Sequence, residues 1–147
     1  MRALHRRDVL AGAGALVFGS VAAVPARANN AQDLVKAFTG GRPATDAKVK
    51  LDLPEIAENG NTVPMTVSVE SPMTEASYVA EVLVVGDGNP NGAIVTFRFT
   101  PASGVAEAST RIRLAQTQNV TAIAKMNDGS LFMATRPVKV TIGGCGG

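Results

Sequence analysis

The sequence contains few of the side chains that enzymes most often use as nucleophiles or metal ligands. Among its 147 residues there is one cysteine, Cys145, and one histidine, His5. Because a single cysteine cannot close a disulfide within the chain, the folded core must be held by packing alone. His5 lies in a segment that we expect to be removed, and a chain without histidine cannot build a Ser-His-Asp or Cys-His site or an ordinary zinc site. We therefore expect no catalytic residues and no metal site in this protein.

Residues 1–28 have the tripartite order of an export signal. Arg2, Arg6 and Arg7 come first, an apolar run covers residues 9–24, and the small-residue pattern Ala26-Arg27-Ala28 follows. The apolar run is about 16 residues long, short of the roughly 20 that a membrane-spanning helix needs. The adjacent arginines favour the twin-arginine route, which exports folded proteins; a general export signal with two arginines by chance is the alternative. We expect cleavage near Ala28 and a mature protein that is periplasmic or otherwise outside the cytoplasm.

The excess of positive charge is confined to this leader. Four of the 14 Lys and Arg residues and one of the 12 Asp and Glu residues lie in residues 1–28, which leaves 10 basic and 11 acidic residues and a net charge of −1. The remaining chain has no basic patch with interleaved aromatic residues, so we exclude nucleic-acid binding.

The 119 residues after the leader are enough for one domain with a single core. A short helix is predicted first, since Asn30 can cap it and Leu34 and Phe38 lie four positions apart on one face. The pair Gly40-Gly41 is expected to end this helix.

Alternation of apolar and polar residues predicts that the rest of the domain is built from strands. In residues 63–69, for example, valine or methionine occupies every second position. The seven predicted strands cover residues 49–53, 63–69, 78–85, 94–100, 109–114, 120–126 and 131–142. Residues 54–61 are interpreted as a turn that leads into the second strand. This spacing predicts an all-β fold, an immunoglobulin-like antiparallel β-sandwich over residues 29–142.

The chain ends in Gly143-Gly144-Cys145-Gly146-Gly147. Four glycines provide no side chains to bury the thiol, and they leave the backbone free over most of φ/ψ space. Five extended residues reach roughly 17 Å, at about 3.3–3.6 Å per residue. We therefore interpret residues 143–147 as a swinging arm on which Cys145 carries something covalently, with Gly143, Gly144, Gly146 and Gly147 keeping the arm flexible.

Two other roles of Cys145 stay open on the residues alone. An odd cysteine in an exported protein permits an intermolecular disulfide in an interaction module. A metallochaperone would combine the thiol with methionines, but the last ten residues contain no second soft ligand. The methionines of this chain are more typical of core packing.

Basic residues in two predicted strands also have two interpretations. Arg136 and Lys139 precede the arm and could steer anions, although charges on the exposed face of an edge strand are the more usual explanation. Arg111 and Arg113 alternate with apolar residues, as an exposed strand face requires, and contact with a partner is the alternative.

Three segments resemble one known family. The segments Leu53–Pro64, Ser109–Ala115 and Val138–Gly147, the last with its glycine-flanked cysteine, resemble the SoxY family, the sulfur-carrier subunits of the periplasmic thiosulfate-oxidising (Sox) complex. With the twin-arginine signal, this resemblance covers essentially the whole chain. It implies that the protein is a substrate carrier and not itself an enzyme, and that it binds no metal, haem or other cofactor.

The resemblance also implies a reaction cycle and a set of partners. Cys145 would be the attachment point, to which a c-type cytochrome, SoxAX, joins thiosulfate oxidatively as a cysteine S-thiosulfonate. A dimanganese hydrolase, SoxB, would release the terminal sulfone as sulfate and leave a persulfide. Where a sulfur dehydrogenase is present, it would oxidise that sulfur before hydrolysis restores the thiol. The carrier would work as a heterodimer with a second β-sandwich subunit, SoxZ, which lacks the arm.

Overall fold

The part of the chain that the computed structural model describes, residues 30–143, contains one α-helix and eight strands. The helix, α1, covers Ala31–Thr39, and the strands are β1 Val49–Asp52, β2 Ile56–Ala57, β3 Val63–Val69, β4 Val79–Gly86, β5 Ala93–Arg98, β6 Ala106–Ile112, β7 Gln118–Met126 and β8 Leu131–Val140. The predicted export signal over residues 1–28 lies outside the described residues, as do Gly144, Cys145, Gly146 and Gly147.

The helix begins and ends where the sequence predicts. The backbone of Asn30 is extended, and its Oδ1 accepts a hydrogen bond from the N–H of Asp33 at 2.8 Å, which satisfies a free donor of the first turn. Gly40 ends the helix in the left-handed conformation, with φ of 67°. Leu34 and Phe38 lie on the face that packs against the sheet.

The strands form two sheets, which confirms the predicted β-sandwich. One sheet has the order β1-β3-β6 and the other has the order β2-β8-β7-β4-β5. Neighbouring strands are antiparallel, with the exception of β2, which pairs parallel with β8. Each of the seven predicted segments overlaps an observed strand.

Most strand ends differ from the prediction by one or two residues, and two differences are larger. Residues 54–61 were expected to be a turn, but they contain β2, because Ile56 and Ala57 pair with Lys139 and Val140. A strand of two residues is too short to show an alternating pattern. β6 begins at Ala106 and not at residue 109, since its small early residues pair with the end of β3 without a strong apolar signal of their own.

The core lies between the inner faces of the two sheets. On β3, the valines and methionine at every second position are buried, and the residues between them are exposed or half-buried. The five-stranded sheet contributes Val82, Val84, Val120, Ala122, Ala134 and Val138 to the same cluster. The sandwich is therefore held by apolar packing, as the single cysteine requires.

β4 is apolar on both faces because both faces are covered. Val82 and Val84 point into the core between the sheets, whereas Leu83 and Val85 belong to a second cluster formed with α1. A strand buried on both sides is typically a continuous apolar run. The helix therefore covers the outer face of the five-stranded sheet at β4 and β7.

No helix within residues 30–143 is long and apolar enough to cross a membrane.

Candidate functional site

The described chain ends at Gly143, two residues before Cys145. Residues 139–143, which we name the root segment, connect β8 to the glycine-flanked cysteine. The root segment determines where the thiol is attached to the sandwich. It is held on two sides, by residues 55–60 and by the loop of residues 113–117.

Residues 55–60 hold the root segment through hydrogen bonds on one side. The N–H of Lys139 donates to the carbonyl of Glu55 at 2.9 Å, and the N–H of Thr141 donates to the carbonyl of Ala57 at 3.1 Å. The Thr141 hydroxyl donates to the carbonyl of Glu58 at 3.1 Å. Farther along, the N–H of Gly60 donates to the carbonyl of Ile142 at 2.8 Å. The last of these bonds lies one residue before Gly143.

The loop of residues 113–117 holds the other side. The Thr117 hydroxyl accepts from the N–H of Val140 at 2.9 Å and donates to the carbonyl of the same residue at 3.4 Å. Gly143 lies so close to Ala115 that a Cβ at position 143 would overlap the Ala115 carbonyl oxygen. A residue with a side chain could be placed there only if the backbone moved. Gly143 is thus required by the packing of the root segment, while its predicted part in arm flexibility stays a prediction.

A polar network around the buried side chain of Gln118 fixes this loop. Oδ1 of Asn89 accepts from the N–H of Ala115 at 2.9 Å and from Nε2 of Gln118 at 2.7 Å. The Gln118 Oε1 accepts from the N–H of Gly88 at 3.0 Å, and its Nε2 also donates to the carbonyl of Gln116 at 3.0 Å. Gln118 is only 6% exposed, so these bonds are needed to offset its desolvation. The network holds the Ala115 carbonyl in place against Gly143.

The sequence did not predict that Gln118 and Asn89 belong to the site. The only signal was indirect, in the glycines of the turn that begins at Gly86. A Cβ at Gly86 or Gly88 would overlap the Gln118 side chain, so both positions leave room for it. Gln118 lies about thirty positions after these glycines in the sequence, so no local pattern reveals the contact.

Apolar side chains are exposed on the root segment and beside it. Ile142 is 67% exposed and Ile56 is 57% exposed. Ile56 lies on β2, directly beside Lys139 of the root segment. The site therefore presents two large apolar side chains to solvent close to the attachment point of the cysteine.

The basic residues near the root segment lie at a surface groove. Arg136 and Lys139 line a cavity of about 350 Å³ together with Glu55, Leu53, Thr117, Pro137 and Val138. Nη1 of Arg136 donates to the carbonyl of Thr135 at 3.0 Å. Both cations are exposed, as the predicted solvent-facing position requires. The predicted edge strand is not observed at Lys139, because β8 pairs with β7 on one side and with β2 on the other there. Anion steering by these two residues stays a prediction.

The four methionines in the described part of the chain lie in or against its two apolar clusters. Met65, Met73 and Met126 are buried in the core between the sheets, and Met133 packs against the α1 cluster. Within residues 30–143, no three His, Cys, Asp or Glu side chains come together in a way that could hold a metal ion. The prediction that the methionines pack in the apolar core is confirmed.

The model of the family described as sulfur oxidation protein SoxY matches residues 35–145, a range that includes both the root segment and Cys145. Among solved structures, the sulfur carrier protein SoxY from Chlorobium limicola f. thiosulfatophilum is 31% identical, with a TM-score of 0.64 over 78% of this chain and 99% of that chain. No curated protein matches.

Superoxide reductases share the fold at lower identity. The enzyme (neelaredoxin) from Ignicoccus hospitalis is 20% identical, with a TM-score of 0.58 over 64% of this chain and 80% of that chain. The enzyme from Nanoarchaeum equitans is 12% identical, with a TM-score of 0.56 over 66% and 100%. These likenesses show the sandwich alone, whereas the family match and the 31% identity extend to the sequence. This chain belongs to the SoxY family of sulfur oxidation proteins.

Proposed function

We propose that this protein is a covalent carrier of sulfur intermediates, which are bound through the thiol of Cys145. The observation that carries the proposal is that the SoxY family match runs through to Cys145, the only cysteine of the chain. The root segment supports it, because hydrogen bonds hold the chain as far as Ile142. The glycines that follow provide no side chains to cover the thiol.

The proposed attachment is an oxidation. The Cys145 thiol and thiosulfate lose two electrons and one proton, and a sulfur–sulfur bond forms between Sγ and the outer sulfur of thiosulfate. The electrons pass to the c-type cytochrome SoxAX. Hydrolysis of the sulfur–sulfonate bond by SoxB then releases sulfate and a proton and leaves a persulfide on Cys145. A sulfur dehydrogenase, where one is present, oxidises the persulfide sulfur before hydrolysis restores the thiol.

In this proposal the carrier provides attachment and delivery, while its partners provide the catalysis. A thiol without perturbation has a pKa of about 8.5, so only a few per cent is thiolate at neutral pH. The thiol would be activated inside a partner's site, which limits side reactions in transit. The carrier would function in the periplasm, after twin-arginine export, as a heterodimer with SoxZ.

The carrier proposal is tested by the mass of the intact protein. Incubation with thiosulfate, SoxZ and SoxAX should give adducts that reductant removes and that map to the C-terminal peptide. Cys145→Ser should abolish both the adducts and thiosulfate-dependent electron transfer. Its free energy of unfolding should stay within about 0.5 kcal/mol of the native value, as is usual for a surface substitution.

A single unmodified mass under turnover conditions would overturn the carrier proposal. A disulfide-linked dimer as the only product would instead favour an interaction module. A loss of several kcal/mol on Cys145→Ser would show that the thiol is packed in the fold.

A further inference from the structure

The loop that contacts Gly143 also carries an exposed arginine. Gly143 lies against the Ala115 carbonyl, and Arg113 precedes Ala115 by two residues. Cys145 in turn follows Gly143 by two residues. Each of these two-residue steps spans at most about 7 Å, at 3.3–3.6 Å per residue. Covalent geometry therefore allows a group attached to Cys145 to meet the long side chain of Arg113.

Hydrogen bonds fix Arg113 relative to the root segment. The N–H of Gly60 donates to the carbonyl of Ile142, and the carbonyl of Gly60 accepts from the N–H of Leu114, both at 2.8 Å. The carbonyl of Arg113 itself accepts from Nδ2 of Asn89 at 2.9 Å. The arginine thus projects from a backbone that is tied, through one residue, to the last part of the root segment.

The two sides of the root segment differ in charge. Residues 55–60 hold it on one side and contain two glutamates. On the other side, residues 109–118 contain two arginines, Arg111 and Arg113, and no acidic residue. Opposite charges attract and like charges repel across such short distances. An anion attached to Cys145 is therefore drawn toward the arginines and away from the glutamates.

Arg111 and Arg113 line the same surface groove, which has a volume of about 280 Å³. The other described residues that line this groove are uncharged. Within residues 30–143 the arginine with a carboxylate partner is Arg98, which pairs with Glu81 at 3.1 Å. Arg111 and Arg113 have no such partner there, so both guanidinium groups are available. A guanidinium presents two N–H groups side by side to the oxygens of an oxyanion.

We propose that Arg113 and Arg111 form an anion site that binds the sulfonate group of the adduct on Cys145. This inference rests on the proposed carrier function and assigns a place on the carrier to its charged cargo. The site would favour the attachment of an anion such as thiosulfate over that of an uncharged sulfur compound. This preference would belong to the carrier itself, before any partner enzyme is bound.

The test measures how the charge of a reagent affects its reaction with Cys145 in the full chain. A thiolate attacks the alkyl-bearing sulfur of an alkyl methanethiosulfonate; a disulfide forms, and methanesulfinate and the thiol proton leave. The 2-sulfonatoethyl reagent carries a sulfonate, whereas the methyl reagent is uncharged and reacts at the same kind of sulfur. Both rate constants are measured for the native protein, Arg113→Gln, Arg111→Gln and Arg98→Gln.

Arg98→Gln is the matched control because it removes the same charge at the far end of the large sheet. Arg98 lies opposite Glu81 on β4, and Glu81 lies opposite Lys125 on β7. Lys125 lies opposite Leu131, the first residue of β8. The root segment is at the other end of that ten-residue strand.

We expect the ratio of the sulfonate rate constant to the uncharged one to fall about threefold or more in Arg113→Gln, as loss of one partly screened charge near the thiol would give. Arg111→Gln should also lower the ratio, and Arg98→Gln should retain the native value. Salt at about 1 M should bring the native ratio close to that of Arg113→Gln, because the Debye length is then only about 3 Å.

A second measurement observes the adduct directly. Tetrathionate converts the thiol to the S-thiosulfonate and releases thiosulfate and a proton, and the mass of the intact protein confirms loading. In ¹H–¹⁵N NMR spectra, the Nε–H signal of Arg113 should shift on loading, because its guanidinium gains a sulfonate partner. The Nε–H signal of Arg98 should stay where it is.

A native ratio in both Arg113→Gln and Arg111→Gln would overturn the anion site and leave the carrier function intact. An equal fall in Arg98→Gln would also overturn it, because the effect would then come from the net charge of the protein. A fall in both rate constants at an unchanged ratio would show an effect on the thiol and not on anion recognition. Failure of the native chain to gain an adduct with thiosulfate and SoxAX would count against the proposed function itself.

Discussion

At the scale of single residues, Gly143 has two explanations: the sequence predicts that it makes the arm flexible, and the structure shows that there is no room for a side chain. The sequence placed it in a flexible arm because of its glycine neighbours. In the structure it lies against the Ala115 carbonyl, where a Cβ would overlap the oxygen. The first glycine of the motif is therefore needed for packing, whatever the conformation of the residues that follow.

Gly143→Ala should distinguish these two roles of glycine. We expect the substitution to lower the free energy of unfolding by about 1–3 kcal/mol, because the added Cβ would overlap the Ala115 carbonyl oxygen and the backbone would have to move. Gly146→Ala, the control in the same motif, should change it by less than about 0.5 kcal/mol. Urea unfolding followed by circular dichroism measures both. Equal and small effects would show that the backbone at Gly143 moves aside at little cost.

Gln118 illustrates a residue whose importance is invisible in its local sequence. It begins β7, where a polar residue is unremarkable, yet it is buried and bonded to Gly88, Asn89 and Gln116. It connects the loop that contains Gly88 and Asn89 with the loop of residues 113–117, and these loops are distant in the sequence. Such contacts are decided by the fold and not by a spacing rule.

At the scale of elements, strands with a clear alternation of apolar and polar residues were predicted correctly, and the strand without one was not. β3 alternates over seven residues, so both its position and its buried face were predictable. β2 has only two residues and owes its conformation to pairing with the end of β8. The strand that helps to hold the root segment is thus the one that the sequence did not reveal.

The N-cap of α1 can be tested separately from the candidate site, because the helix does not contact the root segment. Asn30→Ala removes the hydrogen bond to the N–H of Asp33. It should lower the free energy of unfolding by about 1 kcal/mol, as is typical for the loss of an N-cap. Gln32→Ala, at an exposed position of the same helix, is the control and should be nearly neutral. Thermal and urea unfolding measure both variants.

The Cys145 alkylation rate should be native in Asn30→Ala, since α1 packs on the outer face of the sheet and not on the root segment. A slowed or accelerated rate would show that the helix and the root segment are coupled.

At the scale of the whole molecule, one apolar cluster joins the two sheets. Met65 of the small sheet and Val84 of the large sheet belong to it, and both are almost completely buried. Because neither sheet has a separate core on that side, we expect the sandwich to unfold as one unit.

Met65→Ala tests this cooperativity. The substitution should cost about 2–5 kcal/mol, the range for truncating a large buried side chain to alanine. Urea transitions followed by circular dichroism and by Tyr78 fluorescence should coincide in both the native protein and the variant. Met133→Ala, at a half-buried position in the α1 cluster, should cost less. Separate transitions by the two probes would show that the sheets unfold independently.

The sequence by itself determined the class of fold, the capped helix and most strands, and it predicts that the thiol of Cys145 is the carrier group. Each depends on local order: a period of two, a capping asparagine, or glycines around one cysteine. Only the tertiary structure decided how residues 55–60 hold the root segment, why Gly143 must lack a side chain, and where Ile56 and Ile142 are exposed. These features join residues up to 84 positions apart, as in the bond from the N–H of Thr141 to the carbonyl of Ala57. They therefore depend on how the sheets pack and not on any pattern along the chain.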